Sequence, residues 1–120
     1  MLVSFTIPLK PVSWNALVRK HYRTVTKLAD EWKVATLYAV KEAKIKPFPS
    51  DALPIHISFT ASWKGKRRHD IDSLYVKAVV DQLVAMRILP DDNCSIVRSV
   101  MVTGRNGQKA DSLLVEIQSA

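Results

Sequence analysis

The sequence has few of the residues that build covalent, zinc or nucleotide sites. Three of its 120 residues are glycine and one is cysteine, Cys94, which excludes an internal disulfide. Cys94 and the histidines lack zinc-ligand spacing, and no glycine-rich phosphate loop or nucleophile elbow is present. Cys94 has no base partner identifiable from the sequence, which favours a small turn or core residue over a nucleophile. The histidines are His21, His56 and His69.

Long hydrophobic runs are also missing. No apolar stretch approaches the roughly 20 residues that a membrane-spanning helix needs, and residues 1–10 lack the apolar block of a signal peptide. We therefore expect a cytoplasmic protein with no membrane segment. Because 48% of the residues are hydrophobic and the length suits one domain, residues 1–120 are predicted to form a single core.

Positive charge is in excess. Lysine and arginine number 18 against 11 acids, which gives a formal net charge of +7. A small basic domain suits a polyanion such as nucleic acid, because neutralising phosphates releases condensed counterions. Many basic proteins nevertheless bind nothing specific, so the placement of the charges has to decide.

Hydrophobic periodicity predicts an α+β domain, in which a small mixed sheet of about four strands packs with two helices. Their order along the chain is strand, helix, strand, helix, strand, strand (βαβαββ). Alternation predicts strands over residues 2–8, 55–63, 96–103 and 113–118, and three- or four-residue spacing predicts helices over residues 26–44 and 73–87.

The connections carry further expectations. Residues 10–24 are expected to form a long polar loop, a feature that is usually functional or mobile in a compact domain. Residues 104–107 predict a hairpin connection between the last two strands. Asp30 and Glu31 are expected near the start of the first helix, where the helix dipole favours acids.

Asp70 and Asp72 lie one residue apart between a strand and a helix. If residues 70–72 are extended, both carboxylates project on one side while Ile71 turns inward. Such a pair repels itself unless a cation intervenes, and Mg²⁺ is commonly held by one or two carboxylates with waters and phosphate oxygens. The start of the second helix would add free N–H groups that attract phosphate. Four of the five residues at positions 64–68 are basic, which places phosphate attraction beside the acids: Lys64, Lys66, Arg67 and Arg68.

Asp91 and Asp92 form a second acidic point after the second helix. That helix carries the chain about 20 Å away, so the turn meets Asp70 and Asp72 only if the chain folds back across the sheet. The alternative is that one of the first pair caps a helix and the second pair is a solvated turn.

Three groups of residues match a known pattern: Arg67-Arg68-His69-Asp70-Ile71-Asp72-Ser73-Leu74, a following lysine with Asp81-Gln82-Leu83, and Leu89-Pro90-Asp91-Asp92. This pattern resembles the core signature of the RusA family, whose opening is similar to Ile7-Pro8 with Lys10-Pro11-Val12-Ser13 and Asn15. The family consists of small homodimeric, magnesium-dependent endonucleases that resolve four-way (Holliday) DNA junctions, often encoded by phages and prophages. The resemblance covers most of the chain.

The resemblance implies roles for single residues. Asp70 and Asp72 match the paired metal-binding aspartates, and Asp92 matches the third carboxylate, with Asp91 as the alternative. Lys77 matches the active-site lysine. The implied cofactor is Mg²⁺, with Mn²⁺ as a possible substitute.

Three positions depart from the family pattern. Ser73 stands where asparagine is usual and can still cap a helix, and His69 replaces a frequent arginine. Lys77 follows Asp72 by five residues instead of four, which turns a helical side chain about 100° further round. The alternative for Lys77 is an i,i+4 salt bridge to Asp81.

These expectations describe a homodimeric nuclease that makes paired nicks in four-way DNA junctions during recombination and repair. Two rivals stay open: a non-catalytic DNA-binding module, and a phosphodiesterase that acts on flaps or RNA. Trp14 either stacks at an opened junction or packs beneath its loop, whereas Trp32 and Trp63 are expected in the core. The residues expected to position the DNA backbone are Arg19, Lys20, Arg23, Lys64, Lys66, Arg67 and Arg68.

Overall fold

A computed structural model describes all residues, 1–120, and has the predicted α+β architecture. One cluster of 22 buried hydrophobic residues forms the core. No helix combines the length and the apolar character needed to cross a membrane. The strands are β1 (Leu2–Ile7), β2 (Ile55–Ser62), β3 (Val97–Arg105) and β4 (Ser112–Ser119). The helices are α1 (Trp14–Leu17), α2 (Tyr22–Glu42) and α3 (Lys77–Ala85), with a 3-10 turn at Ser50–Ala52.

The four strands form one mixed sheet in the order β1-β4-β2-β3. β4 pairs antiparallel with both β1 and β2, whereas β3 pairs parallel with β2. The predicted hairpin at residues 104–107 is therefore wrong, because β2 lies between β3 and β4. The connection instead crosses the end of β2, where Gly107 N donates to Gly65 O at 3.0 Å and Gln108 N donates to Trp63 O at 2.9 Å.

Alternation places one face of the sheet in the core. Every second residue of β2, from Ile55 to Ala61, is fully buried, and Leu113, Val115 and Ile117 of β4 are buried beside them. Helices supply the other layer of the cluster through Trp32, Val40, Val79 and Leu83. Burial removes apolar surface from water, which is the main stabilising contribution in a domain of this size.

The first predicted helix begins earlier than expected. α2 starts at Tyr22 instead of residue 26, because the His21 side chain caps it: Nδ1 accepts a hydrogen bond from Arg23 N at 3.2 Å. Part of the predicted loop at residues 10–24 is therefore helical, and α1 occupies another part of it. Asp30 and Glu31 lie well inside α2, so its first turn contains no acid.

The second predicted helix begins later than expected, at Lys77 instead of residue 73. A short pairing with residues 12–14 takes the backbone groups that a helix would use, since Tyr75 N donates to Val12 O at 2.9 Å and Trp14 N donates to Ser73 O at 2.6 Å. Ser73 does not cap α3, because its hydroxyl shares a 2.7 Å hydrogen bond with the hydroxyl of Ser13.

Candidate active site

A polar cleft of about 560 Å³ lies between the segment after β1 and the segment after β2. Its charged lining comes from residues far apart in the sequence. One carboxylate, that of Asp70, shares this cleft with four permanently cationic side chains and one histidine: Lys10, Arg19, Arg67, Arg68 and His69. Such a combination of exposed cations suits a phosphate group, which arginine can grip with two parallel hydrogen bonds.

Trp63 joins the two segments that line the cleft. Its side chain is 3% exposed, as expected for a core residue, and Nε1 donates to Pro11 O at 3.0 Å. The His69 ring stacks on the indole with centroids 4.0 Å apart and planes 7° apart. Residues 10–13 and 67–70 are thus attached to the same buried side chain.

The contact between Gly104 and Ile71 holds the segment that carries the aspartates close to β3. A Cβ atom on Gly104 would lie 3.0 Å from Cδ1 of Ile71 and 3.1 Å from the Trp63 ring. The lack of a side chain at Gly104 therefore permits a close approach of Ile71, the residue between Asp70 and Asp72, to the sheet.

The electrostatics of the cleft act on His69. Burial against its neighbours lowers the pKa of the imidazole, and the nearby charges of Lys10 and Arg67 lower it further, while Asp111 opposes them. At neutral pH the imidazole is therefore mainly neutral. The positive charge of the cleft comes from the lysine and the arginines.

Asp70 and Asp72 are both exposed, and their side chains make no hydrogen bond or ion pair within the chain. The condition that residues 70–72 are extended is not met, because the chain bends at Ile71 and Leu74 N donates to Ile71 O at 3.1 Å. Asp92 is also exposed. No three histidine, cysteine, aspartate or glutamate side chains form a group that could hold a metal ion.

The acidic turn distinguishes its two aspartates. Asp91 Oδ1 accepts from Asp92 N at 2.7 Å and Oδ2 accepts from the Asn93 amide at 3.1 Å. The hydrogen bond from the backbone N–H of Asp92 is the largest cause that holds the pKa of the Asp91 carboxyl below its ordinary value. Both Asp91 oxygens are engaged within the turn, so Asp92 is the carboxylate with free oxygens.

Lys77 is the first residue of α3, and its Nζ lies 3.4 Å from Asp81 Oδ1. The i,i+4 ion pair considered as an alternative for Lys77 is therefore present. The 100° rotation argued from a five-residue spacing does not apply, because residues 73–76 are not helical.

Of the seven predicted DNA contacts, the cleft brings together Arg19, Arg67 and Arg68. Lys64 and Lys66 are exposed outside it. Lys20 lines a neighbouring groove, and the Arg23 guanidinium lies 5.9 Å from the Tyr22 ring centroid, in a groove along α2.

Sequence reasoning missed Lys10 as a part of the cleft. The sequence places Lys10 only in the opening motif, and no spacing rule connects it with a cation nearly 60 residues later. The bond from Trp63 to Pro11 makes that connection, and it is a tertiary contact.

The three predicted ligands have the chemistry that suits a hard divalent cation, but the structure does not bring the three carboxylates together. Asp70, Asp72 and Asp92 offer only carboxylate oxygens without protein partners, and Mg²⁺ needs one or two such carboxylates together with water and phosphate oxygens. No family model and no curated protein matches the chain. The resemblance to the RusA family therefore remains a prediction from the motif residues.

Proposed function

We propose that this protein is a magnesium-dependent endodeoxyribonuclease that cuts four-way DNA junctions by paired nicks. The observation that carries the proposal is the cleft, in which four permanent cations from two distant segments surround Asp70. A basic surface without a carboxylate would attract DNA as well as this cleft does. A partner-free carboxylate among the cations adds a place for a metal ion beside a bound phosphate.

The cations have the role of holding the DNA backbone. Arg67 and Arg68 follow β2, while Lys10 and Arg19 approach from the other side of the cleft. A phosphate between them is contacted from two sides. These contacts strengthen the binding of the DNA strand and also fix its position. Lys20, Arg23, Lys64 and Lys66 are proposed to contact phosphates further along the strand.

The carboxylates have the role of holding the metal. Asp70 and Asp72 are the proposed ligands, and Asp92 is the third because the oxygens of Asp91 are engaged in the turn. When bound, Mg²⁺ supplies a more acidic water and stabilises charge on the attacked phosphate. In the reaction a water oxygen bonds to phosphorus, the bond from phosphorus to one sugar oxygen breaks, and that oxygen takes up a proton. Lys77 assists the water or phosphate only after it leaves Asp81.

The proposal includes a homodimer, because two symmetric strands need two sites. It places the protein in the cytoplasm, in DNA recombination and repair. A species of twice the 13.5 kDa chain mass is expected in sedimentation at micromolar concentration. A monomer under those conditions would argue against paired cutting.

The deciding experiment incubates a labelled synthetic four-way junction with the wild type and with the Asp70→Asn and Asp72→Asn variants in Mg²⁺. Loss of a metal ligand removes several kcal/mol of transition-state stabilisation, so nicking should fall by about a thousandfold or more while junction binding persists. Asp51→Asn is the control, since Asp51 is an exposed acid on the 3-10 turn. Flap, duplex, single-strand and RNA substrates in parallel identify the preferred structure.

A second candidate is a DNA-binding module without nuclease activity. It is favoured by the Lys77–Asp81 ion pair and by the lack of a three-carboxylate group. Tight junction binding with no nicks in either Mg²⁺ or Mn²⁺ would establish this second candidate and refute the nuclease.

A further inference from the structure

Trp14 is a large aromatic residue that the core does not use. Its side chain is 43% exposed, in contrast to Trp32 and Trp63, which are 1% and 3% exposed. One side of its ring stacks on Tyr75, with centroids 5.5 Å apart and planes 19° apart. Tyr75 itself is buried. The exposed part of the indole is therefore supported from behind by a side chain anchored in the core.

The position of Trp14 is fixed next to the proposed metal ligands. Trp14 N donates to Ser73 O at 2.6 Å, and the hydroxyls of Ser13 and Ser73 share a hydrogen bond at 2.7 Å. Ser73 directly follows Asp72 in the chain. These contacts hold the backbone of Trp14 beside the segment that carries Asp72.

A shallow hollow of about 310 Å³ accompanies the ring. It has an apolar floor of Leu74, Tyr75 and Val76, and Lys77 lies at its rim with its side chain 72% exposed. This volume is at the lower end of the range for small-ligand sites. A planar, aromatic ligand attached to a phosphate matches both parts. The ring can stack on the indole, and the phosphate can contact the ammonium group of Lys77 once that group leaves Asp81.

We propose that Trp14, Tyr75 and Lys77 form a subsite for one unstacked nucleobase of DNA next to the cut phosphate. The proposal rests on the proposed function and adds a reason for its selectivity. Bases inside a duplex are stacked on each other and present no free face, whereas a branch point exposes bases that can stack on a side chain. The subsite would therefore favour branched DNA over duplex without reading its sequence.

The first test uses the wild type alone. A four-way junction carrying 5-iododeoxyuridine at the branch point is bound in Ca²⁺, irradiated and analysed by peptide mass spectrometry. We expect the main crosslink at Trp14, because this photochemistry favours a stacked aromatic partner. A main crosslink on another segment would overturn the subsite.

The second test compares the Trp14→Ala, Trp14→Phe and Tyr38→Ala variants by fluorescence anisotropy on the junction and on a matched duplex. Loss of one stacking contact corresponds to about a tenfold weaker junction affinity. Trp14→Ala should show this loss with duplex affinity within about twofold, and Trp14→Phe should retain most of the junction affinity. Tyr38 is a matched control because it is an aromatic on α2 that is 67% exposed.

The outcomes separate the two proposals. Equal weakening on junction and duplex, or no weakening on either, would refute the subsite while leaving the nuclease intact if the wild type nicks junctions. A wild type that binds no DNA would refute both proposals. Thermal denaturation of each variant checks folding, and the crosslink in the wild type does not depend on any variant.

Discussion

At the scale of single residues, Trp63 serves the core and the cleft at once. Its ring is buried, while its N–H and one face hold Pro11 and His69. A buried aromatic with a satisfied polar group is well suited to this role, because packing restricts its rotamer and the hydrogen bond orients it. The placement of the cleft residues therefore depends on a buried side chain that does not itself line the cleft.

The phenol of Tyr75 predicts how the stability of the protein changes at alkaline pH. Burial raises the pKa of its phenol above the ordinary value of 10.0, the charge of Asp81 raises it further, and Lys77 opposes this effect. Because the folded state retains this proton more tightly than the unfolded state, the associated stability is complete below pH 10 and is lost as the pH rises through the folded pKa. The urea midpoint of the wild type should fall more steeply above pH 10 than that of Tyr75→Phe. Parallel curves for the two proteins would contradict the prediction.

At the scale of elements, both long helices end in a left-handed residue that is not glycine. Lys44 has φ 57° and Arg87 has φ 60°. After them, Ile45 N donates to Val40 O at 3.2 Å and Ile88 N donates to Leu83 O at 2.9 Å. This pattern is the Schellman motif, in which glycine is preferred because a Cβ is strained at positive φ.

Glycine at these two helix ends should therefore stabilise the protein. We expect Lys44→Gly and Arg87→Gly each to raise the free energy of unfolding by about 0.5–1 kcal/mol, since relief of strain exceeds the greater entropy of the unfolded glycine. Chemical denaturation measures the change. Lys41→Gly, in the last turn of α2, is the control and should lower stability by about 1 kcal/mol. A loss of stability in both helix-end variants would show that the positive φ carries no strain.

At the scale of the whole molecule, the net charge of +7 favours DNA binding mainly where several cations lie close together. Four of them line the cleft. If these four cations neutralise phosphates, a plot of the logarithm of the duplex binding constant against the logarithm of the salt concentration should have a slope of about −3 to −4 or steeper. Arg19→Ala should reduce the magnitude of the slope by about 1, whereas Lys46→Ala, which changes a cation outside the cleft, should leave it unchanged. Anisotropy titrations in increasing NaCl test this, and equal slopes for all three proteins would exclude Arg19 from the interface.

The parts of the fold that were predicted correctly depend on local patterns. β2 was predicted to within one residue, because its side chains alternate between a buried and an open face and that period is visible in the sequence. The α+β class and the four strands follow from the same patterns. The cation-rich segment and the aspartates that follow it are also visible directly, since they are consecutive in the chain.

The parts that were wrong depend on contacts between distant residues. The start of α3 moved to Lys77 because residues 12–14 pair with the segment that local propensity assigns to the helix. The predicted hairpin was wrong because β2 lies between β3 and β4. Strand order is decided by how all the strands pack on a common core.

For the candidate site, the sequence by itself determined its ingredients: basic residues beside two aspartates, a second acidic turn and a lysine on the following helix. Only the tertiary structure decided that Lys10 and Arg19 share a cleft with Arg67, Arg68 and Asp70, and that Trp14 remains exposed. The physical reason is that side-chain chemistry belongs to each residue, whereas proximity between residues nearly 60 positions apart is produced by packing on a common core.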